Sequence, residues 1–588
     1  MKKFLLVLQF LFFISHCSFS QGIGIGNNDP DPSAALDITN TSKGLLIPRM
    51  STAAINVIAG PAKGLLVYDS STNQLMANAG TTVAPHWLAV ASNGNAWNLS
   101  GNSNTNPATQ FIGTTDNKPL RFRVNNIQAG ELDAVTGSVS LGLRSGQNNA
   151  TGFNNIAIGK DALRSNKAGF GLVAIGDSAL FNNDNDNPSP GIFATSNTAV
   201  GSKALFSNDF GSNNTATGSN ALSTNTHGNL NSAYGASSLS SNINGGFNTA
   251  IGGNALSSNT IGNFNTSIGA MSLLFNFNGH NNTATGVFSL TANTAGNDNT
   301  AAGVRSLTSN TTGNFNSAFG SQSLFFNQTG NGNTAIGDSS LFSNTTGNGN
   351  TASGFRALGL NKDGQENTAI GSNALNSAFH SSGNTAVGVE AGSGFVLGSG
   401  NTLIGAGADV GGDNIFNAVA LGKAARCTAN NQVRLGNTFT TSIGGIVGFT
   451  NISDGRFKKY IQEAVKGIDF IMKLRPVTYQ LDIAGLDKKL NVNGKTNTRL
   501  GNGMNENAQT IFSGFIAQEV EDAAKATGYD FSGVDKPKNE NDIYGLRYAE
   551  FVVPLVKAMQ EQQQMILELK KQNTDLLNRI LLLEKISK

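Results

Sequence analysis

A 17-residue glycine period constrains this chain more than any other feature. Fourteen glycines from Gly201 to Gly422 keep that period without a slip. Most close the same phrase: NTAVG (197–201), NTAIG (248–252), NSAFG (316–320), NTAIG (367–371), NTAVG (384–388). Gly142, Gly159 and Gly176 share the spacing, with one interval of 25 residues between Gly176 and Gly201. Those eight extra residues (25 − 17) contain NNDNDNPSP (182–190), which predicts a polar loop pushed out of one repeat. A fixed period means one structural unit stacked many times, so about half of the chain is expected to be a rod.

With each repeat's glycine as position zero, position −2 is usually Ala (Ala199, Ala216, Ala233, Ala250). Position +4 is Leu thirteen times, among them Leu163, Leu205, Leu222, Leu256 and Leu290. Asn recurs at +7 (Asn208, Asn225, Asn259, Asn310, Asn344), and Gly at +10 from Gly211 to Gly347 and at Gly364. Apolar residues at one phase stack into an inner column that one repeat could not bury alone. Small Ala and Gly let backbones approach closely, and Gly and Asn accept the positive φ of tight corners. Asn at one phase predicts a ladder of side-chain amide hydrogen bonds. Gly and Asn are too frequent for helices. Two short strands and two turns per coil are expected, and seventeen turns at about 4.8 Å predict a rod of about 80 Å.

The phrases NTAVGxxAL and NTAIGxxAL resemble the head repeats of trimeric autotransporter adhesins, over about residues 138–436. The resemblance implies a left-handed parallel β-roll with three chains to a head, although the period here is longer than that family's usual one. The run NQVRLGN (431–437) falls three residues short of the period, as a capping turn would.

Both ends differ from the rod. Lys2 and Lys3, the apolar stretch from Phe4 to Ile14, and Ser18-Phe19-Ser20 predict a signal peptide over 1–20, cleaved after Ser20, and hence a secreted or cell-surface protein. His16 occupies the place of the small residue expected before a lipidated Cys17, which favours simple cleavage. Cys427 would then be the one remaining cysteine, excluding an intrachain disulfide. No later run reaches the ~18 apolar residues of a transmembrane segment, and a net charge of +2 gives no field directed at nucleic acid.

Residues 21–105 read as a β collar and 106–137 as a β connector, with a strand pair in 111–126 around a turn at Asp116-Asn117. These phrases resemble the leading modules of secreted, tail-fibre-like proteins, which implies a base that starts a trimer. Trp87 and Trp97 sit in apolar context and read as core rather than sugar platforms.

After a connector (437–452), charges and helix formers return. Four phrases follow in order: ISDGRFKKYI (452–461), LRPVTYQLD (474–482), GFIAQEVEDA (514–523) and LRYAEFVVPLVKAMQEQQQ (546–564). Together they resemble the peptidase S74 domain, the intramolecular chaperone of endosialidase and other phage tail spikes. In that family the Ser and Lys of SDxRxK form a dyad that cuts just before the Ser. The matching residues are Ser453 and Lys458, the bond at risk is Ile452–Ser453, and Asp454 and Arg456 are the supporting pair.

Residues five apart in a straight strand face opposite sides, about 16 Å apart, so a turn is required, and Asp454-Gly455 supplies one. A neutral lysine base needs burial or neighbouring cations, here Arg456 and Lys459. Asp454 either opposes that effect or holds Arg456 in place.

The domain expected over 453–554 is small and α+β, and 555–588 is expected to be a coiled coil. Its seam is Leu555, Met559, Gln562, Ile566, Leu569, Asn573, Leu576, Ile580 and Leu583. Ile at a and Leu at d with a buried Asn lean toward dimers, whereas both resemblances imply trimers. The fold class expected is mainly β.

The function expected is a secreted homotrimeric, adhesin-like surface fibre with a self-removing chaperone. Its partners would be two copies of itself and a cell-surface or glycan receptor. The alternatives are a polysaccharide-degrading enzyme with the same chaperone, or a scaffold with an inactive dyad. The enzyme needs a carboxylate pair about 5–10 Å apart. The rod's acids are sparse and out of phase, with Asp363 and Glu366 the best candidates, and His227, His280 and His380 read as isolated. No cofactor or metal motif is visible.

Overall fold

The computed structural model describes residues 22–90, 101–103, 105–184, 194–490 and 506–587. The signal peptide, Trp97 and most of the loop predicted over 182–190 lie outside the described residues. The chain divides into two compact units, up to residue 113 and from residue 114 onward.

In the first unit, Ile23–Ile25 pairs in parallel with Leu36–Ile38. A second sheet runs through Arg49–Met50, Leu66–Asp69, Gln74–Asn78 and Trp87–Ala89, its last two pairings antiparallel. Two buried polar side chains organise its turns. Asp69 accepts from Thr52 Oγ1 at 2.6 Å and from the Ser71 amide at 2.8 Å. Asn78 donates to Pro61 O at 2.9 Å and accepts from the His86 amide at 2.9 Å. Trp87 is half-buried within its strand.

The second unit opens with a hairpin of Leu120–Val124 and Ile127–Asp133. Its turn is Asn125-Asn126, at φ 47° and 58°, and not the Asp116-Asn117 pair expected from sequence. Two consecutive positive φ values match the twist of a two-residue hairpin, and Asn accepts them at low cost. Ile127–Asp133 then pairs antiparallel with Ser138–Leu141, the first strand of the rod.

Eighteen strands among the described residues, from Ser138–Leu141 to Val433–Leu435, form one parallel ladder. Val173 pairs with Thr198, so the 25-residue interval closes in register and the insertion leaves the ladder intact. Val419 pairs with Val433, which makes the last coil the short one. Seventeen steps at about 4.8 Å span about 80 Å.

Most coils carry one three-residue strand rather than the two expected. The other side is interrupted at the +4 leucines. Leu222, Leu256, Leu290 and Leu324 are fully buried at φ between 51° and 54°. Sequence reasoning assigned positive φ to Gly and Asn, because a side chain there costs about 1–2 kcal/mol. Full burial of a Leu contributes about 1.5–3 kcal/mol, and the backbone stays paired, as in Leu222 N–H to Ser238 O at 2.9 Å. Burial therefore outweighs the strain. The repeat glycine has its own reason: at Gly235 (φ 136°) a Cβ would lie 2.5 Å from Gly252 O in the next coil.

The +7 asparagine ladder is present. Asn225 Nδ2 donates to Asn208 Oδ1 at 2.8 Å, and Asn242 Nδ2 to Asn225 Oδ1 at 2.7 Å. A second ladder at −4 was not expected: the Asn248 amide donates to Asn231 Oδ1 at 3.0 Å, and Asn248 Nδ2 to Gly262 O at 2.9 Å. Both columns are fully buried beside the Leu and Ala columns. Each coil thus bonds the next through backbone and side chains at once.

Beyond the rod, a small α+β domain is built on Phe470, Val520, Ala523, Ala524, Phe531 and Phe551. Val477–Tyr479 pairs with Phe512–Gly514, and helix Ala517–Ala526 follows. The chain ends in a 35-residue helix, Val552–Ile586. Pro554 lies in its first turn, where a missing amide costs nothing. No helix among the described residues is long and apolar enough to cross a membrane.

Candidate functional site

The segment SDGRFK folds locally. Asp454 caps a 3-10 turn, Gly455–Phe457, by accepting from the Arg456 amide at 2.9 Å. That turn reverses the chain and brings Lys458 Nζ to 2.8 Å from Ser453 Oγ. Arg456 folds back onto Asp454, with Nε at 2.9 Å from Oδ2. The paired hydrogen bonds from Arg456 hold the Asp454 carboxyl below its ordinary value and raise the guanidinium above its own. Arg456 is thus bound by Asp454, the second of the two roles left open for Asp454 by the sequence.

The burial expected around Lys458 is absent in the single chain: Ser453 and Lys458 are exposed, and Ile452 is 94% exposed. Six residues cannot form a pocket alone, and nothing among the described residues covers the pair.

The other three phrases converge on one core. Arg475 pairs with Glu519 through Nε at 3.0 Å. The Phe515 amide donates to Tyr548 Oη at 3.0 Å, and Glu561 accepts from the Ile468 amide at 2.7 Å. These cross-links join the strands to the start of the terminal helix. None was legible as a pair beforehand.

In the rod, the three histidines are not isolated. His380 Nδ1 lies 2.6 Å from Asp363 Oδ1 in the preceding coil. His280 replaces an asparagine in an outer ladder, its Nδ1 accepting from the Asn263 amide at 3.1 Å. His227 stacks on Phe210 with centroids 4.9 Å apart. Asp363 is thereby committed to His380, and Glu366 is an exposed corner residue at φ 57°. Among the described residues no group of three metal-ligating side chains occurs. Cys427 is fully buried, and burial pushes its thiol up to about 11.

Comparison with known families agrees with this layout at both ends. Residues 453–529 match the family described as Peptidase S74, chaperone of endosialidase. The match begins at the serine of the Ser453–Lys458 pair. Residues 24–106 match a phage tail like trimerisation region. No curated protein matches the sequence. A trimerisation region, a β-solenoid and an endosialidase-type chaperone, in that order, fit a tail-fibre-like trimer.

Proposed function

We propose that this chain forms a secreted homotrimeric surface fibre whose C-terminal domain is an intramolecular trimerisation chaperone, severed by its own Ser453 and Lys458. The observation that carries this reading is the 2.8 Å approach of Lys458 Nζ to Ser453 Oγ at the first residue of the chaperone match. Neutral Lys458 takes the hydroxyl proton as Oγ attacks the Ile452 carbonyl carbon. The Ile452–Ser453 C–N bond breaks, and the proton passes to the Ser453 nitrogen. Water then hydrolyses the resulting ester, leaving a carboxylate on Ile452 and a free hydroxyl and amino group on Ser453. The severed piece is 136 residues (588 − 452).

Desolvation and uncompensated positive charge are what make a lysine a base, and in one chain Lys458 is exposed and the Arg456 charge is compensated by Asp454. The neighbouring chains of the trimer supply the cover, so cutting follows assembly. This order has a physical use. A long parallel ladder folds slowly and exposes unpaired edges on the way, and cutting the link to the chaperone afterwards leaves the fibre kinetically trapped. The signal over 1–20 delivers the fibre to the cell surface, where it attaches to a receptor or glycan.

The test is the intact mass of the chain lacking residues 1–20, beside Ser453→Ala and Lys458→Ala. Two pieces split at Ile452–Ser453 in the parent and one in each variant are expected. A single full-length species throughout refutes self-cleavage and leaves a fibre with a permanent trimerisation clamp.

A further inference from the structure

The C-terminal domain touches the rod through a buried carboxylate that self-cleavage does not use. Val534–Asp535 and Gly545–Leu546 pair antiparallel, and the loop between them reaches the last coil of the rod. At its tip Asp542 is 6% exposed. Its Oδ1 accepts from Thr428 Oγ1 at 2.6 Å and from Gln432 Nε2 at 3.0 Å, and its Oδ2 accepts from the Lys538 amide at 3.1 Å. Arg434 Nη2 lies 3.7 Å away. Beside it, Asn539 Nδ2 donates to Thr428 O at 2.8 Å and Lys538 Nζ to Asn430 O at 3.3 Å. Apart from the Lys538 amide, these bonds join residues more than 100 positions apart, across the Ile452–Ser453 bond.

The rod needs a cap at this point. The −4 asparagine ladder stops at Asn401, because Ala418 holds the next position and Gln432 the one after. Gln432 Oε1 accepts from the amides of Thr428 and Ala429, at 2.9 Å and 3.1 Å. Its Nε2 has no further coil to bond, and Asp542 accepts from it instead. A stacked repeat must cover its last coil to remain soluble, and a buried amide left unpaired costs about 1–3 kcal/mol.

The loop is also held at its base. Glu521 receives Lys536 Nζ at 2.8 Å and Tyr544 Oη at 2.9 Å, one from each side of the tip. Burial alone would raise the Asp542 pKa. The hydrogen bonds from Thr428, the Lys538 amide, Gln432 and the Ile543 amide outweigh it and keep the carboxyl charged.

We propose that residues 536–544 are a capping arm whose Asp542 carboxylate docks the C-terminal domain onto the rod's last coil, so that the domain stays bound after the chain is cut. The partner for this rod end is therefore the chain's own severed domain, retained as a cap rather than shed. Cutting at Ile452–Ser453 breaks no contact of the arm.

The test uses the full chain carrying Ser453→Ala, with a site for an added protease inserted between Gly444 and Gly445. After cutting, size-exclusion chromatography at neutral pH reads whether the two pieces co-elute. Co-elution is expected for this parent, with release at least tenfold faster in Asp542→Ala and in Thr428→Val. Thr428→Val changes only the rod side, so release there does not depend on the arm variant folding. Immediate separation of the parent pieces, or variants that co-elute as stably as the parent, would overturn the proposal. Because the cut is made by an added protease, the result stands whether or not Ser453 and Lys458 cleave the chain.

Discussion

The rod and the region after it satisfy their apolar residues in opposite ways. In the rod, every +4 leucine from Leu163 to Leu375 is buried by the coils above and below it, within one chain. In the connector after residue 440 and along the terminal helix, on either side of the small core around Phe470 and Val520, apolar side chains face outward: Ile446 is 105% exposed, Phe449 91% and Leu583 64%. Exposure of that extent in a single chain is the mark of surfaces meant for other chains. The repeats bury their leucine column without a partner, and the matches to a trimerisation region and to a chaperone lie outside the rod, at residues 24–106 and 453–529.

The sharpest way to break this contrast is to charge the helix seam. Leu576→Asp with Ile580→Asp is expected to abolish both the trimer and self-cleavage while leaving the rod's β signal. Light scattering and intact mass read the two losses. A cut trimer in the double variant would show that the helix does not assemble the fibre.

A buried rod leucine tests the other side. Leu290→Ala should cost about 2–5 kcal/mol, the range for a cavity left in a close-packed core. Chemical unfolding at two protein concentrations distinguishes the regions. The Leu290 penalty should not change with concentration, whereas a Leu583→Ala penalty should appear only through the oligomer. Equal concentration dependence for both would contradict a rod core completed within one chain.

Asn310→Ala probes the ladder. It leaves Asn293 Oδ1 without the donor Asn310 Nδ2, at about 1–3 kcal/mol for the buried group left unpaired, while Asn327 Nδ2 keeps Gly330 O and the Gly313 carbonyl keeps Asn299 Nδ2. Loss of stability without loss of β signal is expected. An unchanged midpoint would mean that the ladder does not stabilise the stack.

The sequence showed the rod because its physics is periodic. A Leu or Asn at a fixed phase can only stack, so its column, its ladder and even the uninterrupted register across the 25-residue interval follow from spacing. What spacing could not show was which residue takes the strained φ. Asn213, Asn220, Asn254 and Asn373 take positive φ as propensity predicts, but so does every +4 Leu, where burial outweighs propensity. The Ser453–Lys458 approach was legible because Asp454-Gly455 lies between them and the geometry is local. Asp542 was not legible. Its partners Thr428 and Gln432 are separated from it by 110 residues or more, and NEND in a polar loop carries no period. The failed turn at Asp116-Asn117 has a similar cause: Asn125-Asn126 is an equally good pair, and the strand beside it, not the pair itself, decides.

Acid should separate the two regions by the smallest but most specific margin. Glu521 is held down to about 2 from its ordinary 4.5 by hydrogen bonds from Lys525, Lys536 and Tyr544. A carboxyl whose pKa is lowered on folding contributes stability that is fully present above the unfolded value and is lost as pH falls through the folded one. The C-terminal domain should therefore lose this contribution between pH 4.5 and about 2, and Glu521→Gln should flatten that limb while lowering stability at pH 7. The rod's asparagine ladders carry no proton to gain, so its β signal should hold over the same range. Circular dichroism at the helix and strand bands, read against pH for both proteins, follows the two regions in one titration. An acid limb in Glu521→Gln as steep as the parent's would remove Glu521 as the domain's acid-sensitive contact and leave the comparison resting on the exposed seam alone.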